Sequence, residues 1–106
     1  MNLEATMHFD HIAINVEDIK KSIEWYQVRL GAEIEYEDKT WAMLRIGTTK
    51  IALTISRQHP PHVAFNVRSI DMLPGKPKFH RDGSAYIYEQ DPDGNTIEYI
   101  YWPPKS

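Results

Sequence analysis

Two histidines open nearly the same hexapeptide: His11-Ile12-Ala13-Ile14-Asn15-Val16 recurs as His62-Val63-Ala64-Phe65-Asn66-Val67. Both copies have the alternation of a half-buried strand, with Ile12, Ile14 and Val16 on one face and His11, Ala13 and Asn15 on the other. A third residue stands out near the end of the chain, where Glu98 interrupts the apolar run Ile97-Glu98-Tyr99-Ile100-Tyr101. A carboxylate inside an apolar strand is costly unless it is paired or ligating, so Glu98 marks a site. The chain has no cysteine, which removes disulfides, thiolate metal sites and a nucleophilic thiol; any metal must be held through nitrogen and oxygen. Taken singly, each histidine also fits a structural place at the mouth of a strand, bonded to a backbone carbonyl. Glu98 taken alone also fits the surface of an edge strand.

The elements that must position these residues follow from local pattern. After the first hexapeptide, Asp18 can cap a helix whose apolar residues Ile19, Ile23, Tyr26 and Leu30 recur at three- and four-residue steps until Gly31 stops it. Strand-like runs follow at about Ala32 to Glu37, Trp41 to Ile46 and Lys50 to Ile55, the last two joined by a turn at Gly47-Thr48-Thr49. The unit is βαβββ. Arg57-Gln58-His59-Pro60-Pro61 resists regular structure, because proline fixes its own dihedral and biases the residue before it away from helix. The second half opens at His62 and closes with strands at about Ala85 to Gln90 and Thr96 to Trp102, around the turn Asp91-Pro92-Asp93-Gly94-Asn95. Between Ser69 and Lys76 there is room for two helical turns at most, and Pro74-Gly75 breaks even those. When the halves are aligned by their last strands, Ala52 falls where the second half has Glu98.

The expected architecture is therefore α+β: one domain over 1–106, with a first βαβββ module at 8–56, a linker at 57–61 and a second module at 62–102 whose helix is shortened. With 42% hydrophobic and 25% charged residues in 106, the chain can bury one modest core and has no room for a separate cofactor domain. A net charge of −3 without a basic cluster argues against nucleic acid as a partner. No run approaches the length of a membrane span, and the first residues lack the pattern of a signal peptide, so no membrane is involved and a cytoplasmic location is expected.

Residues 8 to 102 resemble the vicinal-oxygen-chelate superfamily, which includes glyoxalases, bleomycin-resistance proteins and dioxygenases. The resemblance rests on His11-Ile12-Ala13-Ile14-Asn15-Val16, on the helix from Ser22-Ile23-Glu24-Trp25-Tyr26 through Leu30-Gly31, and above all on Asp91-Pro92-Asp93-Gly94-Asn95-Thr96-Ile97-Glu98. It implies two βαβββ modules forming a cupped mixed sheet around a divalent metal, Fe, Mn, Ni, Co or Zn, with His11, His62 and Glu98 as ligands. It also implies a small-molecule substrate or ligand and a homodimer. Tyr88 lies ten residues before Glu98, as does a tyrosine near the bound ligand in extradiol dioxygenases and fosfomycin-resistance enzymes, and is the candidate catalytic residue. The family's further ligand, Glu or Gln in lactoylglutathione lyases, falls on Ala52, which disfavours glyoxalase I activity. His80 is a loose counterpart of an additional histidine in the dioxygenases.

Two functions are consistent with these residues. The first is a metal-dependent enzyme of lyase or dioxygenase type, in which the ion chelates vicinal oxygens of a substrate and Tyr88 hydrogen-bonds the reacting oxygen. The second is a module that binds or sequesters an antibiotic-like small molecule without chemistry. His8 and His59 are expected to face solvent, Asn15 and Asn66 to cap backbone at strand ends, and Trp41 and Met43 to pack on the sheet.

Overall fold

Asp18 and Gly31 delimit the one α-helix among the described residues, as their residue types require. In the computed structural model, which describes residues 7–55 and 59–104, helix α1 runs Ile19–Leu30. The Asp18 carboxylate accepts from the backbone N–H of Lys21 at 3.0 Å, meeting one of the donors that a helix start leaves without an intrahelical partner. At the other end Gly31 turns into the left-handed region at φ 66°, so that its N–H reaches Gln27 O and that of Ala32 reaches Tyr26 O. Ile19 and Ile23 are buried on one side of α1, while Val28 is 77% exposed on the other.

The strands are β1 Met7–Val16, β2 Glu33–Glu37, β3 Trp41–Ile46, β4 Thr49–Ile55, β5 His62–Val67, β6 Lys78–Phe79, β7 Ala85–Gln90 and β8 Thr96–Tyr101, with one 3-10 turn at Ile70–Met72. The described residues fall into two compact units, one spanning His11 to His62 and the other joining residues 7–10 to 63–104. The first unit carries the strand order β2-β3-β4-β1 and the second the order β5-β8-β7-β6. β4 is parallel to β1, whereas β3 is antiparallel to both β2 and β4, so the sheet is mixed. The fold is α+β, as expected.

In the first unit, α1 covers one face of the sheet. Its core joins Ile19 and Ile23 to Ala42, Leu44 and Leu53, with Ile14, Val16, Ile51 and Ile55 packed around them. In the second unit the core is smaller: Val67, Leu73 and Ala85 with Met72, Ile87, Tyr99 and Tyr101. The crossover there is shortened as expected, to three residues of 3-10 helix capped by the Ser69 side chain, with Pro74 and Gly75 just beyond. Among the described residues no helix is long and apolar enough to cross a membrane.

Several boundaries differ from expectation. β1 already runs at Met7, four residues before the hexapeptide, and Asp10 on it accepts from Trp102 Nε1 at 2.9 Å and Asn66 Nδ2 at 3.4 Å. β6 follows from no sequence signal, since two residues show no periodicity. β2 starts at Glu33, β4 at Thr49, and β8 ends at Tyr101. β8 is hydrogen-bonded on both sides, so Glu98 is not on an edge strand. Ile12 is 37% exposed although the alternation placed it on a buried face, while His11 and Ala13 are buried. His59 is half-buried instead of solvent-facing, and its carbonyl accepts from Asn15 Nδ2 at 3.0 Å. Of the expected linker at 57–61, residues 57 and 58 lie outside the described residues, as does Ser56 at the end of the expected first module.

The first-unit core makes a direct prediction. Leu53→Ala, which empties a side chain with no solvent exposure, should cost about 3 kcal/mol in denaturant unfolding. Val28→Ala should stay within about 0.5 kcal/mol. Similar losses from both would mean that α1 does not pack on this face.

Candidate functional site

In the first unit the face opposite α1 carries the candidate residues. His11, Ala13 and Asn15 project to one side of β1 by the two-residue period of a strand. The register pairs Ala13 with Ala52 and Asn15 with Thr54 on β4, and β3 pairs Met43 with Ala52 and Trp41 with Thr54. Directly paired residues share a face, so Ala52 lies on the His11 side of the sheet. Asn15 also donates to Thr54 Oγ1 at 2.9 Å, locking the end of this face in addition to its backbone contact. Trp41 stacks on Tyr36 at 4.4 Å between centroids.

The two repeat histidines meet in this unit. Their rings lie 5.5 Å apart at 73°, and both are buried, His11 at 6% and His62 at 8% exposure. The carbonyl of Pro60 sits 2.7 Å from His62 Nδ1. A carbonyl can only accept, so Nδ1 carries the hydrogen and the neutral ring keeps its lone pair on Nε2, the arrangement of a metal-ligating imidazole. The Pro60-Pro61 pair that resists regular structure thus has a local use: it holds a backbone acceptor against the ring that follows.

In the second unit the turn between β7 and β8 sets the geometry. The Asp91 carboxylate accepts from the N–H groups of Asp93 and Asn95 and from Asn95 Nδ2, at 2.8 to 2.9 Å. The Asn95 side chain, followed by its backbone, holds the Asp91 carboxyl below the usual range. This closed turn fixes the antiparallel register from Gln90↔Thr96 to Tyr88↔Glu98, so the ten-residue spacing of Tyr88 and Glu98 puts them side by side on one face. Glu98 is 2% exposed, and its Oε2 accepts from His80 Nε2 at 2.9 Å. The His80 ring stacks on Tyr86, with centroids 3.7 Å apart and planes at 8°, and Tyr86 meets Tyr88 edge-on at 5.3 Å. Burial, then the charge of Glu98, pushes the Tyr88 phenol well above its ordinary pKa and keeps it a neutral donor.

Sequence reasoning undervalued His80, whose partner lies eighteen residues further on and which directly follows a strand of only two residues. Asn66 bonds the Asp10 side chain and not backbone. His8 is exposed, as expected.

The family model described as the Glyoxalase/Bleomycin resistance protein/Dioxygenase superfamily matches residues 8–73, and the chain belongs to that superfamily. It is similar to the metallothiol transferase FosB of Staphylococcus epidermidis, with 30% identity across 84% of this chain and 78% of that protein. Its similarity to the metallothiol transferase FosB of Lysinibacillus sphaericus is 24%, across 85% of this chain and 79% of that one. The fold also matches a crystal structure of methylmalonyl-CoA epimerase from Mycobacterium tuberculosis at a TM-score of 0.78, covering 98% of this chain and 94% of that one with 19% identity. That likeness is one of fold alone.

The position of Tyr88 predicts its titration. In metal-free protein, a spectrophotometric difference titration of wild type against Tyr88→Phe should show no phenolate from Tyr88 as pH rises through the ordinary tyrosine value of about 10. Ionisation at that ordinary value would mean that the Glu98 side of β7 is open to water.

Proposed function

We propose that this chain is a metal-dependent enzyme acting on a small molecule, with His11, His62 and Glu98 holding one divalent ion. One observation carries the proposal: the three donors are all buried, at 2 to 8% exposure, where polar side chains are costly without a function. The donor set fits such an ion, since two imidazoles and one carboxylate suit Fe(II), Mn(II), Co(II), Ni(II) or Zn(II) and leave further positions for substrate oxygens. When bound, the ion supplies a Lewis acid at those oxygens.

The chain's own residues do the rest. The Pro60 carbonyl keeps His62 in the tautomer that ligates through Nε2. Tyr88, neutral and beside Glu98, donates a hydrogen bond to the reacting oxygen and withholds a competing negative charge. Ala52, on the His11 face, offers no carboxylate for proton transfer at a substrate carbon, so glyoxalase I chemistry is not proposed. The likeness to metallothiol transferases favours transfer of a thiol to the chelated small molecule over lyase or dioxygenase chemistry, and with no cysteine in the chain that thiol must come from a second substrate. A homodimer belongs to the same proposal.

Non-catalytic sequestration is the second reading. It is favoured by the second crossover, which has three residues of 3-10 helix where the first has a twelve-residue helix, and so has less structure to enclose a reacting substrate.

Metal-free protein titrated with these ions should take up about one per chain. His62→Ala and Glu98→Ala should each weaken binding by at least about a hundredfold with the fold retained, since ligands matter no less than the residues that support them. Ala52→Glu should tighten binding by adding an oxygen donor on the same face. Thiol consumption with a panel of small electrophiles should require the ion and vanish in Glu98→Ala. Stoichiometric binding without any metal-dependent turnover would favour sequestration, and no binding of any of the ions would refute both the ligand set and the enzyme.

A further inference from the structure

Three separate restraints converge on the His80 ring. Its backbone is fixed by a tight turn, in which His80 N–H donates to Ser84 O at 2.9 Å and Gly83 N–H donates to His80 O at 3.0 Å. That turn is itself braced: Asp82 Oδ1 accepts from both the N–H and the hydroxyl of Ser84, at 2.9 and 2.6 Å, and Ser84 is fully buried. Just before the turn, β6 is tied to β7 by the pairs Lys78↔Tyr86 and Phe79↔Ala85. Tyr86 then supplies the third restraint, lying flat against the imidazole. The result is a ring with one orientation, aimed through Nε2 at one oxygen of a carboxylate.

We propose that His80 is a positioning residue for the metal site, fixing the Glu98 carboxylate so that one oxygen is held by Nε2–H and the other is presented to the ion. The proposal rests on Glu98 being a ligand. A carboxylate on a flexible side chain must give up torsional freedom on binding an ion, and a hydrogen bond already in place removes that cost and sets the direction of the remaining lone pairs. The pair also accounts for the short β6. That strand and the Asp82-Gly83-Ser84 turn together bring the imidazole donor to Glu98. A histidine serves here because its ring can stack on Tyr86 while its nitrogen donates, which neither a lysine nor a serine could do. The side chain of His80 is 26% exposed against 2% for Glu98, so it closes the outer side of the carboxylate.

The test is a Co(II) titration of metal-free protein, followed by visible absorption, on wild type, His80→Phe, His80→Gln, Glu98→Ala and the double variant His80→Phe/Glu98→Ala. Phenylalanine keeps the stack and loses the donor; glutamine keeps a donor and loses the stack. His80→Phe should bind roughly 10- to 100-fold more weakly, with an altered absorption spectrum. His80→Gln should recover most of the loss. In the Glu98→Ala background His80→Phe should change nothing further, because its effect passes through the carboxylate. If His80→Phe fails to fold, Tyr86→Leu carries the test and should give a smaller loss in the same direction. Wild-type affinity and spectrum in the folded variant would overturn the proposal, as would an equal loss with and without Glu98. Failure of wild-type protein to bind Co(II) at all would overturn the metal site itself, and that outcome is visible before any variant is made.

Discussion

A carboxylate with 2% exposure in the middle of a hydrogen-bonded strand is the constraint on which the second half of the structure depends. Without compensation, burying Glu98 ionised would cost several kcal/mol, and replacing it with an apolar residue would be the simpler solution for stability alone. The chain instead surrounds it with polar and aromatic groups: His80 on one oxygen, Tyr86 behind His80, and Tyr88 alongside on β7. The turn at Asp91 to Asn95 exists in a form that keeps Tyr88 and Glu98 in register, and the turn at Asp82 to Ser84 in a form that keeps His80 pointed inward. Stability alone would ask for an apolar residue at this position of β8, and on the proposed function the carboxylate is kept for the ion.

The first half solves a related problem with different means. Its core is larger, with a capped helix over Leu44 and Leu53, and the opposite face carries buried imidazoles. Pro60 ties His62 to one tautomer through backbone alone, so no second side chain is needed there. The first unit thus has the larger core, and the second a buried carboxylate held by side chains.

The sequence made much of this legible for identifiable reasons. The repeated hexapeptide located β1 and β5, Asp18 and Gly31 bounded α1 to the residue, and Pro74-Gly75 foretold the short crossover. Glu98 stood out because charge inside an apolar run has few bland explanations. Other features were not legible. The alternation of Ile12, Ile14 and Val16 pointed to one buried face, yet the buried residues of β1 are His11 and Ala13 on the other face, while Ile14 and Val16 are half-buried, and a binary pattern cannot announce that a histidine and an alanine lie on a covered face. The bond from Trp102 to Asp10 joins residues far apart in sequence, which no local pattern announces. His80 was hardest to place, because its contact with Glu98 goes with a two-residue strand before it and a stack on Tyr86, neither of which has a periodic signature.

The central claim is that one ion is held by His11, His62 and Glu98 together. Diffraction at the absorption edge of cobalt, from crystals of the Co(II)-loaded protein, tests it most directly. The account predicts one anomalous peak per chain within bonding distance of an imidazole nitrogen of each histidine and a carboxylate oxygen of Glu98. A peak at other residues, or one that Glu98 does not reach, would contradict it.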